Sequence, residues 1–158
     1  MQDFFDRQVK GGFKMRLEGV NTGIVLDHIK AGTAMKIYNL LELEKLDCTV
    51  AVMKNVASSK MGKKDMIKID TALDLNMEAL GYLDNKITVN IVKDGKLAEK
   101  KKLSLPKELN NVIKCKNPRC ITSVEQEIKH SFRLVNEEKK VYRCSYCDAT
   151  YTAEEKSK

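Results

Sequence analysis

Ile24-Val25-Leu26-Asp27-His28-Ile29 is an apolar run with two ionisable residues set near its end. Its density of aliphatic side chains suits a buried strand. Alternation along a strand puts Ile24, Leu26 and His28 on one face and Val25, Asp27 and Ile29 on the other. A buried polar group without a partner costs roughly 2–7 kcal/mol, so Asp27 and His28 need partners or water. In a straight strand they point to opposite faces. Both can approach one ligand only where the strand ends or bends, and Ala31-Gly32 follows at once.

The chain around this strand reads as an α+β fold. Thr33 to Glu44 carries Ala34, Ile37, Leu40 and Leu41 at helical spacing, with Gly32 or Thr33 as cap. Cys48 to Met53 reads as a strand in which Cys48 is a small core hydrophobe. Lys54 to Lys63 reads as a polar loop, and Asp65 to Asp70 as the next strand. Asp74 or Asn76 can cap a short helix carrying Met77, Leu80 and Leu83. Ile87 to Val92 is another strand, Asp94-Gly95 a two-residue hairpin turn, and Lys96 to Leu103 a charged edge strand. From Ile24 the order is strand, helix, strand, strand, helix, strand, then an extra hairpin strand. The first six follow the split order of ferredoxin-like folds, in which two helices cover one face of an antiparallel sheet. Met15 to Val20 adds or extends a strand before Gly23, and residues 1–14 form a loose arm.

Composition changes past Leu103 to Pro106, which sets a boundary between a domain over 15–103 and a small all-β domain over 107–158. Phe132 to Val135 and Lys140 to Arg143 frame the polar turn Asn136-Glu137-Glu138 and read as a hairpin, and no helix is expected. Cys115 and Cys120 form a CX4C pair; Cys144 and Cys147 form a CX2C pair, 23 residues further on. Two such loops present four thiolates in the tetrahedron that Zn²⁺ favours, leaving no open position for water activation. About fifty residues bury little core, so one structural zinc ion per chain is a natural staple. A rubredoxin-like iron site would ordinarily use two CX2C loops, and redox chemistry at one CX2C would leave the other pair unexplained.

No run of 18 apolar residues occurs, so no membrane-spanning helix is expected. The opening residues carry Asp3 and Asp6 and do not read as a signal peptide, and five cysteines do not make a disulfide framework. A cytoplasmic protein is expected. The net charge is +7, and between Lys93 and Cys120 nine basic residues face three acidic ones. That segment reads either as a solvated edge and linker or as a site for a polyanion. A nucleotide would suit the Asp27–His28 pair, with ribose hydroxyls for Asp27, a phosphate oxygen for His28, and Lys68 and Lys100 on neighbouring strands. The plainer reading is a strand end facing water.

Gly23 to Ile29 (GIVLDHI), Met61 to Asp70 (MGKKDMIKID), Ile87 to Val92 (ITVNIV), Leu103 to Cys120 (LSLPKELNNVIKCKNPRC) and Tyr142 to Cys147 (YRCSYC) occur in this order. Together with the cysteine spacing, the set resembles the regulatory chain of aspartate carbamoyltransferase over about residues 17–150. The resemblance implies a non-catalytic regulatory subunit of pyrimidine biosynthesis. Its ferredoxin-like allosteric domain would bind CTP, UTP or ATP and pair with another as a regulatory dimer. Its zinc domain would dock on the catalytic chain, in assemblies of two catalytic trimers and three regulatory dimers. The resemblance also implies residue roles. Asp27 falls on the ribose-binding Asp, His28 on the phosphate-side His, Lys68 on the Lys at ribose and base, and Lys100 on the phosphate-binding Lys. Val20 and Val25 line the site, Asn90 and Val92 lie on the base side, and Lys64 matches a Lys linked to a second, metal-bridged nucleotide. Cys115, Cys120, Cys144 and Cys147 fall on the zinc ligands. Gly95 stands where well-known members carry a Tyr on the base-side hairpin.

Two other functions compete. The basic segment would suit a zinc-ribbon protein binding nucleic acid, but few aromatics are present for base stacking and the tail carries Glu154 and Glu155, which argues against nucleic acid as a partner. A stand-alone enzyme lacks a visible nucleophile–base constellation, since His28 and His130 fall in different domains.

Overall fold

The computed structural model describes residues 20–152. The expected arm over 1–14 and nearly all of the expected strand from Met15 lie outside the described residues. The chain divides into two compact units, one holding the residues to Asp74 with Ile87–Lys102, the other Leu75–Lys86 with the residues from Leu103.

The first unit is a five-stranded sheet with one helix. Its elements are β1 (Gly23–Lys30), α1 (Ala34–Leu40), a 3-10 turn (Leu43–Lys45), β2 (Val50–Ser58), β3 (Gly62–Ile69), β4 (Thr88–Lys93) and β5 (Lys96–Lys102). The sheet order is β2-β3-β1-β4-β5, and every pairing is antiparallel. This is the ferredoxin-like order with β5 added as an edge, and every residue of β5 is exposed. The β4–β5 turn places Asp94 at φ 51° and Gly95 at φ 72°, the left-handed pair that a two-residue hairpin needs. At the start of β1, a Cβ on Gly23 would collide with the Ile69 carbonyl oxygen, so only glycine lets β3 approach there.

Cross-strand partners share a face. Ile24 lies opposite Ile69, and Leu26 lies between Ile67 and Val89; all five are buried. Helix α1 packs on β2 and β3 and adds buried Ala34 and Ile37. The other face carries a transverse row: Lys68 opposite Val25, Val25 opposite Asn90, and Asn90 opposite Lys100.

Three expectations change. The strand expected from Cys48 begins at Val50, so Cys48 lies in the bend before β2 and is half-buried, not a core residue. The helix expected to Glu44 ends at Leu40, because Glu42 adopts a left-handed φ of 51° that halts the helical ladder before the 3-10 turn. The polar loop expected over Lys54 to Lys63 is mostly strand: β2 runs to Ser58, β3 begins at Gly62, and only the turn between them remains. A bulge explains the continuity. Met53 pairs with Met66 and Val56 with Lys64, and Asn55 absorbs the extra residue at φ 59°.

The second unit holds α2 (Met77–Leu83), β6 (Glu108–Asn110), α3 (Ile121–Val124), β7 (Ser131–Asn136), β8 (Val141–Cys144) and β9 (Thr150–Thr152), with sheet order β6-β7-β8-β9. Asn76 caps α2 by accepting the Ala79 amide at 3.0 Å. Tyr82 of α2 meets Tyr142 edge to face, with centroids 5.4 Å apart. Leu109, Ile113 and Phe132 join them in one core. Met77, Leu80 and Leu83 predict the helix; Tyr82, which that spacing does not use, packs it into this unit. The four-residue α3 appears where no helix is expected, as a turn leaving Cys120.

Candidate ligand cavity and metal centre

The question raised by Asp27 and His28 is answered by a bulge. On β1, Leu26 lies opposite Ile67 and Ile29 opposite Asp65, so β1 holds one residue more than β3 over this span. His28 takes the strain at φ 58°. With the strand bent there, Asp27 and His28 line one cavity of about 250 Å³ together with Ser58, Ser59, Lys60, Lys64, Asn90 and Lys100.

Asp27 is buried, and its carboxylate is partnered. Its Oδ1 accepts the His28 amide at 2.6 Å and pairs with Lys64 Nζ at 2.8 Å. His28 Nδ1 lies 3.2 Å from Thr88 Oγ1 and 3.8 Å from Asp27 Oδ2. Burial holds the His28 pKa below its usual value; Lys64, Lys60 and Lys100 push the same way and Asp27 opposes them. The balance favours the neutral ring.

Behind the cavity, Asp65 of β3 is fully buried between the two bulges. Its Oδ2 accepts the amides of Gly32 and Ala34 at 2.9 and 3.2 Å, which caps α1, and its Oδ1 accepts Asn55 N at 3.0 Å. One carboxylate thus ties the start of α1 and the bulge of β2 to β3.

The structure brings Asp27, His28, Lys64, Asn90 and Lys100 to the cavity wall. Lys68 stands in the transverse row beside Val25. Val20, Val25 and Val92 form a buried apolar cluster with Met66. Sequence reasoning missed Ser58, Ser59 and Lys60, because a loop gives no position to its side chains. The available signal was a hydroxyl pair beside a lysine just before Gly62. Thr88, the His28 partner, was also missed.

In the second unit the four sulfurs of Cys115, Cys120, Cys144 and Cys147 all lie within 4.8 Å of one another. Cys115 and Cys147 approach to 3.6 Å, and Cys120 and Cys144 to 3.8 Å. Four thiolates about 2.3 Å from a central ion would stand about 3.8 Å apart, so the cluster fits a tetrahedral metal. The loops are held from outside: Cys144 N donates to Ala149 O at 2.8 Å, Asp148 N donates to Cys144 O at 3.1 Å, and Thr122 Oγ1 lies 3.1 Å from Cys120 Sγ. His130 is a supporting group, since its Nδ1 accepts the Cys115 amide at 3.1 Å. Without a metal, burial pushes the Cys144 thiol up to about 12, while the Ala149 amide pulls Cys147 down to about 7.

Two family models match in tandem: the aspartate carbamoyltransferase regulatory chain allosteric domain over residues 15–104, and the metal binding domain of the same chain over residues 107–157. The chain belongs to the aspartate carbamoyltransferase regulatory-chain family. The regulatory chain of Clostridium acetobutylicum is 50% identical over 137 residues, covering 87% of this chain and 94% of the relative. That of Clostridium tetani is 49% identical over 138 residues, covering 87% and 96%. That of Bifidobacterium longum is 40% identical over 134 residues, covering 85% and 96%. Membership makes this a regulatory, non-catalytic chain with an allosteric and a metal-binding domain. Among the described residues no helix is long and apolar enough to cross a membrane.

Proposed function

We propose that the cavity beside Asp27 binds a ribonucleoside triphosphate effector (CTP, UTP or ATP) through which this chain controls aspartate carbamoyltransferase catalytic chains in pyrimidine biosynthesis. The observation that carries the reading is the bulge that turns Asp27 and His28 to one cavity ringed by Lys60, Lys64 and Lys100. In this reading Asp27 Oδ2 accepts a ribose hydroxyl, since Oδ1 already serves Lys64 and the His28 amide. Asn90, Val92 and Lys68 take the base side, over the apolar floor of Val20 and Val25. His28 and Lys100 take phosphate oxygens. Lys64 shapes Asp27 in this same cavity, whether or not a second nucleotide also uses it. Residues 15–103 form the nucleotide domain, which pairs with a second copy as a regulatory dimer.

Zn²⁺ is the metal that best suits four thiolates. It cross-links the loops of Cys115, Cys120, Cys144 and Cys147 and, with its coordination full, performs no reaction. The metal-binding domain then presents a surface to the catalytic chain in the cytoplasm. Effector binding shifts the assembly only by the difference in its affinity for the two states.

Calorimetry of wild type and Lys100→Ala against CTP and ATP tests the site. A charge-assisted hydrogen bond contributes roughly 1.5–3 kcal/mol, so the variant should bind about one to two decades more weakly. Equal affinities would remove the cavity from nucleotide binding.

His28 supplies a pH test. The free chain favours its neutral ring, and a phosphate against it favours the charged ring. Binding should take up a proton, so affinity should be highest at low pH and fall as pH rises through the raised His28 pKa of the complex. Binding heats in two buffers of different ionisation enthalpy should differ for wild type and agree for His28→Asn.

A further inference from the structure

The four sulfurs of the cysteine centre are not held alike. Cys144 and Cys147 sit in a tight loop, and the groups that reach their sulfurs are largely backbone amides: Tyr146 and Cys147 at Cys144, and Ala149 at Cys147. Cys115 and Cys120 meet side-chain hydroxyls. Tyr151 Oη lies 3.4 Å from Cys115 Sγ, as Thr122 Oγ1 lies beside Cys120 Sγ. An amide comes with any chain that makes the loop, whereas a hydroxyl depends on the residue that stands there.

We propose that Tyr151 is a positioning residue of the metal centre, whose hydroxyl donates to the metal-bound sulfur of Cys115 and sets how tightly the ion is held. The inference rests on the four-cysteine centre binding a metal. The direction of the hydrogen bond follows from what else the hydroxyl touches. The Lys116 amide, which can only donate, is bonded to Tyr151 Oη. The oxygen accepts there, so its own proton is left for another partner. A cysteine that ligates a metal is a thiolate and has no proton to give. Tyr151 therefore donates and Cys115 accepts. The phenol is fixed by packing. Pairing of β9 with β8 sets Tyr151 opposite Tyr142, and its ring stands edge-on to buried Phe132 with centroids 5.1 Å apart. A hydroxyl on a ring held this way needs little further ordering to keep its bond. Strand β9 is thereby tied to the CX4C loop. Four thiolates around one divalent ion leave an excess of negative charge, and a donor at one sulfur offsets part of it.

The test compares the full chain with Tyr151→Phe. Zn²⁺ affinity is read by competition with a chromophoric chelator, and the Co²⁺-loaded proteins are read by absorption. Phenylalanine keeps the ring against Phe132 and removes only the oxygen, and the amide of exposed Lys116 turns to water. Zn²⁺ affinity should fall about tenfold, the lower end of the effect of such outer partners. The sulfur-to-cobalt charge-transfer band should move to longer wavelength, because a thiolate that loses a donor gives up an electron more readily. Unchanged affinity overturns the proposal. A loss of affinity with the band unmoved overturns it too, and would mark Tyr151 as a packing residue alone. Wild type that takes up neither ion overturns the metal centre itself.

Discussion

Removing the metal from Cys115, Cys120, Cys144 and Cys147 should unfold the second unit and leave β1 to β5 folded. The core there is small: Tyr82, Leu109, Ile113, Phe132 and Tyr142 with the cysteines themselves. Metal binding contributes roughly 10–16 kcal/mol in small zinc modules, which matches or exceeds the whole stability of an ordinary domain, about 5–15 kcal/mol. The loss should reach beyond the cysteine loops. Helix α2 lies between β3 and β4 in sequence but packs through Tyr82 on Tyr142, so its amides should lose protection together with those of β7 and β8. Hydrogen exchange before and after chelation reads this directly. Cys144→Ala should behave like the stripped protein, and Cys48→Ala should not. A second unit that keeps its protection without metal would show that its apolar core suffices.

Lys64→Met should destabilise the first unit by about 3 kcal/mol or more. The Lys64 and Asp27 side chains are 5% and 4% exposed, and their charged atoms lie 2.8 Å apart. Deleting one member of a buried pair leaves the other charge without compensation, which typically costs about 3–5 kcal/mol. Pairing Lys64→Met with Asp27→Asn should recover much of the loss, because an amide in that position carries no charge to strand. Urea unfolding of the four proteins of this cycle measures the coupling. A single-variant loss under about 1 kcal/mol would mean that water reaches the pair and screens it.

The elements legible in the sequence were those written in local spacing. Alternation and aliphatic density in Ile24 to Ile29, helical spacing at Ala34 and Ile37, and the left-handed demand met by Asp94-Gly95 all act within a few residues. They were enough for the α+β order and the antiparallel sheet. The cysteine spacing was enough for a four-sulfur centre, since each pair closes its own loop. Tertiary structure decided what depends on partners distant along the chain. The bulges at His28 and Asn55 exist only in the registers of β1 and β2 against β3. No local pattern marks them, and without the first the two residues of the cavity would face apart. The partner of Asp27 could not be read either, because Lys64 lies 37 positions away and meets it only once that register is set. The same holds for Tyr82, whose ring finds Tyr142 sixty positions on and carries α2 into the second unit. Spacing determines which elements form, because backbone geometry is local. Register and packing determine which side chains meet, because those contacts close only when the whole sheet is in place.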